Sequence, residues 1–399
     1  MDDKRSINIF FNGSIYTKFN ETTIVESIVT NKGKIEFTGS SKEAMRLYGK
    51  NADSIIDLEG RIVLPGFVDS HIHLDDLGSS LTYLNLRGTQ SIKEMKERLL
   101  RYKLKNPDAK VIIGMGWDQE SFVEGRWPNR SDIDEIVKDI PVFLERFCEH
   151  AGVINSKMLE LADSNTFPDH VMPRAEDGKP TGVVKEEASS FFKQEANELV
   201  GNEEGNLVVA ANFLLSQGVT SVGFVSCSLE SAIYLSREAS KLGIRVMAYL
   251  KEDAASKIDE IRRKVGENSF FKINGIKLFV DGALGARTAA LREPYEDDTN
   301  NQGMLILDSR SLKKIFKQFE DNHVQFAIHA IGDRGIDTVI EAVSSMDRSK
   351  LLQPRIEHCT VLRRNHIKML KELEIGISVQ PAFVIDDWWA VKRLGKKRS

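Results

Sequence analysis

The sequence lacks most of the features that would settle its class at once. No run of about 18 apolar residues occurs, so no transmembrane helix is expected. The start, "MDDKRSINIFFNG", has no apolar core of the kind a secretory signal needs. Cysteine is scarce. Cys148, Cys227 and Cys359 lie far apart with no C-x-x-C pair, which argues against a zinc ribbon or a disulfide framework and points to a reducing cytoplasm. Neither sign of charge dominates: 55 Lys and Arg face 59 Asp and Glu, for a formal net charge of -4. A nucleic-acid surface is therefore not expected, nor is a membrane partner, and the basic "KRLGKKRS" reads as a solvated segment. No tandem repeat or low-complexity tract occurs, and no G-x-G-x-x-G follows the first strand of the α/β series, which weakens a dinucleotide site.

What is present is length and alternation. A chain of 399 residues, 41% hydrophobic, is too long for one small core. Residues 1–62 read as short strands broken by Asn-Gly and Lys-Gly turns, with one helix, "SKEAMRLYG", closed by Gly49. From residue 205 onward, apolar strand runs alternate with helices, among them a charged helix in "DAASKIDEIRRKVG". Strands that are apolar on both faces suit a parallel sheet covered on both sides. With "RIVLPGFVDSHIH" as the first, seven such strands can be counted. The pattern favours a (β/α)8 TIM-type barrel or a doubly wound sheet. Residues 63–399 would form it, interrupted at about 80–200 by a long α/β insertion of the sort that shapes substrate pockets.

Chemistry concentrates at strand ends. His71 and His73, two apart, project from one face where a barrel keeps its active site. His329 ends "VQFAIHA" and His358 ends "PRIEHC". Three strands ending in histidine, in a chain with eight histidines, favour a metal cluster over satisfied core imidazoles. Lys277 lies inside the apolar strand "GIKLFVDG", where burial lowers an amine's pKa; an ion pair with Asp281 is the alternative. Asp281 and Arg287, in a glycine-rich loop, suit substrate binding or a surface ion pair. Trp117 is either an aromatic pocket wall or ordinary core. Cys359 reads as a small buried residue rather than a nucleophile.

The segments "LPGFVDSHIH", "HAIGD", "RIEHC" and "SVQP" together resemble the amidohydrolase superfamily. "GWDQ", "EHAGVINS", "PTGVVKE" and "KLFVDGALGARTAAL" are similar to its branch of D-aminoacylases and N-substituted formamide deformylases. The resemblance implies a metal-dependent hydrolase of carbon–nitrogen bonds other than peptide bonds, with a β-sandwich to which residues 1–62 contribute. It implies one or two zinc-like ions on His71, His73, His329 and His358, bridged by Lys277 as a carbamate. Trp117, Asp118, His150, Asp281, Arg287 and Gln380 would then face a small-molecule amide, and a homodimer is an option.

The family pattern also has an aspartate on an eighth strand, which takes a proton from the attacking water. No acid after Gln380 stands at a strand end, and Asp386 and Asp387 fall in a loop-to-helix stretch before Trp388. The sequence therefore leads us to expect a fragment or a variant without its general base, with impaired activity, unpaired edges on the first and seventh strands and uncovered apolar surface. A non-catalytic metal- or ligand-binding relative, or a cyclic amidase or deaminase, is the alternative.

Overall fold

In the computed structural model the described residues are 6–18, 23–147, 150–163, 166–201, 203–255, 257–319, 323–347, 352–387 and 389–399. Cys148 and Trp388 lie outside them. The chain divides into two compact units, Met1–Asp69 with Leu215–Val222, and Ser70–Leu214 with Gly223–Ser399.

The first unit holds a four-stranded and a three-stranded sheet. Ile7–Phe11 is central in the larger one, antiparallel to Ser27–Asn31 and parallel to Ser54–Asp57. Alternation puts Ile7, Ile9 and Val29 on one buried face, where they pack with Ala44 of the helix Ser41–Tyr48. Ser40 caps that helix by accepting from the Glu43 amide. Gly49 does not close it in a left-handed conformation. Its φ is -56°, and the chain runs on through a 3-10 turn, Gly49–Asn51.

The barrel sheet has seven parallel strands in sequence order: Phe67–Ile72 (β1), Val219–Cys227 (β2), Arg245–Leu250 (β3), Phe271–Phe279 (β4), Gln325–Ala330 (β5), Arg355–His358 (β6) and Gly376–Ser378 (β7). Sequential parallel order with intervening helices is the winding of a TIM-type barrel. Among the described residues β1 and β7 are the edges of the sheet. They nonetheless come within bonding reach, since the Ser70 and Ser378 hydroxyls are 2.9 Å apart and the Arg355 guanidinium donates to the Ser70 carbonyl at 2.7 Å. Ile377 on β7 and Val379 just past its end stay exposed. The charged segment after β3 forms two short helices, Glu252–Ala255 and Ile258–Val265.

The insertion builds its own five-stranded mixed sheet, ordered Val183–Lys185, Ala151–Ile154, Val142–Arg146, Ile112–Trp117, Leu84–Asn85. Its two faces bury separate apolar clusters. One contains Trp117, Leu144 and Met95, the other Phe143, Phe192 and Val184.

Candidate metal centre

Four barrel strands converge their chemistry at the C-terminal mouth. His71 lies on β1 and His73 just beyond it, as the residue preceding the helix Leu74–Thr82. Their ring centroids are 5.6 Å apart. His71 stands 4.8 Å from the His358 ring, and His329 stands 4.6 Å from it. His358 is presented by a strained backbone: His358 and Cys359 have φ of 73° and 50°, left-handed values that non-glycine residues seldom adopt.

Each imidazole has one nitrogen committed to an acceptor. His71 Nδ1 donates to Glu357 at 2.5 Å, His329 Nε2 to the Gly282 carbonyl at 3.0 Å, and His358 Nδ1 to Gln380 Oε1 at 2.7 Å. His73 bonds to the Val225 backbone. Such second contacts fix ring orientation and tautomer, so a neutral ring turns its lone pair the other way. Burial, reinforced by neighbouring cationic groups, disfavours the charged form of His73, His329 and His358. The His329 pKa is pushed down to about 4 and that of His358 to about 3, and burial lowers His73 as well. Among the described residues no three His, Cys, Asp or Glu side chains form a ready-made ligand cage. The donor set nevertheless fits a divalent ion, since these imidazoles are gathered beside a buried amine with no hydrogen-bond partner.

That amine is Lys277 on β4. It is buried, and its Nζ has no hydrogen-bond partner. Burial pulls its pKa down to about 8 against the opposing pull of Glu357. The ion pair with Asp281 considered from sequence does not form. Asp281 instead accepts from the backbone amides of Ala290, Ile331 and Gly332 at 2.9, 3.0 and 2.8 Å, which ties the loop after β4 to the end of β5. Gly335 makes room for it, because a Cβ there would stand 2.7 Å from Asp281 Oδ2. Burial raises the Asp281 carboxyl to about 6 despite those amides.

Other residues singled out by sequence lie elsewhere or act differently. Trp117 is fully buried in the insertion core, its indole donating to the Leu144 carbonyl, so it walls no pocket. Asp118 pairs with Arg146 at 2.9 Å, and the exposed His150 pairs with Glu186 at 3.3 Å. Arg287 pairs with Asp297 at 2.9 Å. Gln380 does stand at the centre, holding His358.

Sequence reasoning missed Glu357. It is fully buried, bound to His71 and also to Arg355 Nε at 2.5 Å. Burial pushes its carboxyl up, but the hydrogen bond from His71 and the charges of Arg355 and Lys277 outweigh that and leave it below the usual carboxylate range. Arg355 in turn lies over the Tyr249 ring at 4.5 Å, and the Tyr249 hydroxyl donates to Gln325 at 2.5 Å. A polar ladder thus runs down the barrel interior beneath the rings.

A parallel barrel carrying imidazoles at the C-terminal ends of its strands is the architecture of a metal-dependent hydrolase. The chain belongs to the amidohydrolase family, whose sequence model matches residues 54–399. Its fold is similar to that of an uncharacterised metal-dependent hydrolase from Pyrococcus furiosus, with a TM-score of 0.84 and 36% identity over 98% of this chain and 81% of that one. Among curated proteins it is 28% identical to the putative amidohydrolase YtcJ of Bacillus subtilis, over 98% of this chain and 76% of the relative. It is 22% identical to the N-substituted formamide deformylase of Arthrobacter pascens, over 94% and 72%. No helix among the described residues is long and apolar enough to cross a membrane.

Proposed function

We propose that the chain hydrolyses the C–N bond of a small acyclic N-acyl or N-formyl amide with a bound divalent metal, and that it turns over slowly. The observation that carries the reading is the clustering of His71, His329 and His358, each with one nitrogen held by an acceptor. Together with His73 these rings would hold the metal, and an all-nitrogen donor set suits zinc. Lys277 would join them as a carbamate. Its neutral Nζ adds to the carbon of carbon dioxide and releases one proton, leaving an anion that can bridge two ions. Its burial without a hydrogen-bond partner and its lowered pKa support that step.

A divalent ion there would polarise a carbonyl and lower the pKa of water toward about 7. The chain's own part is to fix the rings and exclude solvent: Glu357 orients His71, Gln380 orients His358, and the Gly282 carbonyl orients His329. The named activity of the formamide deformylase relative, together with the "GWDQ" and "DGALG" segments, supports an acyclic amide. The buried thiols of Cys227 and Cys359 suit a reducing cytoplasm.

Slow turnover is proposed because the attacking water needs a proton acceptor. Among the described residues, the two buried carboxylates that contact the rings are already engaged, Glu357 by His71 and Arg355 and Asp281 by three backbone amides. The test is metal content by mass spectrometry and turnover of N-formyl and N-acetyl amides. We expect bound zinc that His71→Ala removes, with weak zinc-dependent hydrolysis. A wild-type chain that retains no divalent metal would overturn the hydrolase reading. Robust hydrolysis abolished by His71→Ala would overturn the slow-turnover part alone.

A further inference from the structure

We infer that a cavity beside the histidine rings seats an apolar, uncharged side group of the substrate, so that the amide is an aryl or branched-alkyl amide rather than an N-acyl amino acid. The inference rests on the hydrolase reading and narrows its substrate class. The cavity holds about 460 Å³, within the range of small-molecule pockets. Its position follows from the chain. Ile331 lies two residues past His329 and Thr360 two past His358, so both line the cavity at the ends of β5 and β6. Phe383, also on the lining, lays its ring flat over the His358 imidazole, 5.9 Å between centroids and 5° between planes. A group seated here therefore borders the metal-binding rings.

The walls are preformed and apolar. Leu284, Ile331 and Trp389 line the space and pack in one cluster with Leu291 and Tyr295. A ring entering it would leave water without any wall having to fold. Charge decides the rest. Among the described residues the lining holds one carboxylate, Asp387, and no lysine or arginine. Arg393 lies over the Trp389 ring at 5.3 Å, but its two terminal nitrogens are bound to Asp297 and the Gly285 carbonyl at 2.9 Å each. A substrate carboxylate placed among these apolar walls would meet the Asp387 carboxylate, with both terminal nitrogens of Arg393 already taken, an unfavourable burial.

The experiment is calorimetric titration of the zinc-incubated full chain with three probes: N-methylacetamide, acetanilide and N-acetylphenylalanine. We expect acetanilide to bind at least about tenfold more tightly than either of the others. Thr360→Trp and Ala283→Phe, which add rings at exposed positions of the lining, should erase that preference while zinc content stays at the wild-type level. Equal binding of the two neutral amides, tighter binding of N-acetylphenylalanine, no binding of any probe, or a preference that survives both substitutions would overturn the inference. Absence of zinc from the wild-type chain would count against the hydrolase reading instead, and the probe preference would still be read in the same titration.

Discussion

The barrel mouth and the insertion carry the same kinds of residue and use them in opposite ways. In the insertion, Trp117 is sealed in an apolar cluster with Phe122 and Trp127, and His150 sits out in solvent beside Glu186. At the mouth the imidazoles are drawn in and held by one nitrogen each, near a buried lysine whose Nζ has no hydrogen-bond partner. Natural interiors rarely leave a buried amine unsatisfied, since that costs free energy. The insertion contributes stability by burying hydrophobic surface, whereas the mouth retains an unfavourable arrangement that a cation or a carbamate would relieve. Residue type alone does not separate the two regions. What separates these particular side chains is whether their polar atoms are satisfied: the Trp117 indole and the His150 ring have partners, whereas the Lys277 amine has no hydrogen-bond partner.

If that contrast is right, substitutions on its two sides should fail in different measurements. The largest effect belongs to the insertion. Trp117→Ala removes a fully buried indole that packs against the Phe122 and Trp127 rings, with centroids 6.2 and 5.5 Å away. A loss of about 3–5 kcal/mol in denaturant unfolding is expected, with the zinc content of the folded fraction unchanged. Zinc loss from folded Trp117→Ala protein would break the comparison. Glu357→Gln comes next and belongs to the mouth. It keeps the volume but exchanges the carboxylate that holds His71 for a neutral amide. Zinc affinity should fall roughly 10- to 100-fold, and Glu357→Asp should recover part of it. Unchanged zinc affinity would reduce Glu357 to a purely structural partner of Arg355.

These two residues also show what could be read beforehand. The strand–helix alternation, the seven barrel strands and the histidines at strand ends were legible because an apolar run closing on a polar residue is a local signal with a period of two. Glu357 was hidden by the same rule. Neighbours on a strand should face opposite sides, so His358 pointing inward implies Glu357 pointing away. The φ of 73° at His358 breaks that alternation and turns both side chains into the barrel. Trp117 is ambiguous from sequence because an indole suits a pocket wall and a core equally well. Asp281 looked available for a lysine or a ligand. Its actual partners are backbone amides of Ala290, Ile331 and Gly332, which only the tertiary fold brings to it.

The loop after β4 gives a third, smaller effect, which sharpens the comparison by separating packing at the mouth from metal binding there. Tyr295 is buried in the cluster that walls the cavity, and its hydroxyl donates to the Ala289 carbonyl at 2.9 Å. Burial, followed by the nearby Asp281 charge, raises its pKa from 10.0 to about 12. Above pH 10 the unfolded chain ionises this phenol before the folded one does, so the folded state binds more protons. Its contribution is intact below pH 10 and is lost as the pH rises through about 12. Tyr295→Phe should flatten that alkaline limb in a series of unfolding curves while leaving zinc content alone. An unchanged limb would assign the alkaline loss to other groups.

The smallest expected effect is the most pointed one, because it falls on a histidine that a motif-based reading places in the pocket. The His150 side chain is 65% exposed and its partner Glu186 is 63% exposed, at 3.3 Å. A pair that open to water is worth roughly 0–1 kcal/mol and is weakened by salt. His150→Ala should therefore change unfolding stability within about 0.5 kcal/mol, and it should leave both zinc content and acetanilide binding unchanged. If His150→Ala instead lowered zinc content or probe affinity, the insertion would have to reach the site in the working protein. The division between a region that only packs and a region that only binds would then be wrong in its simplest form, however well Trp117 and Glu357 behaved.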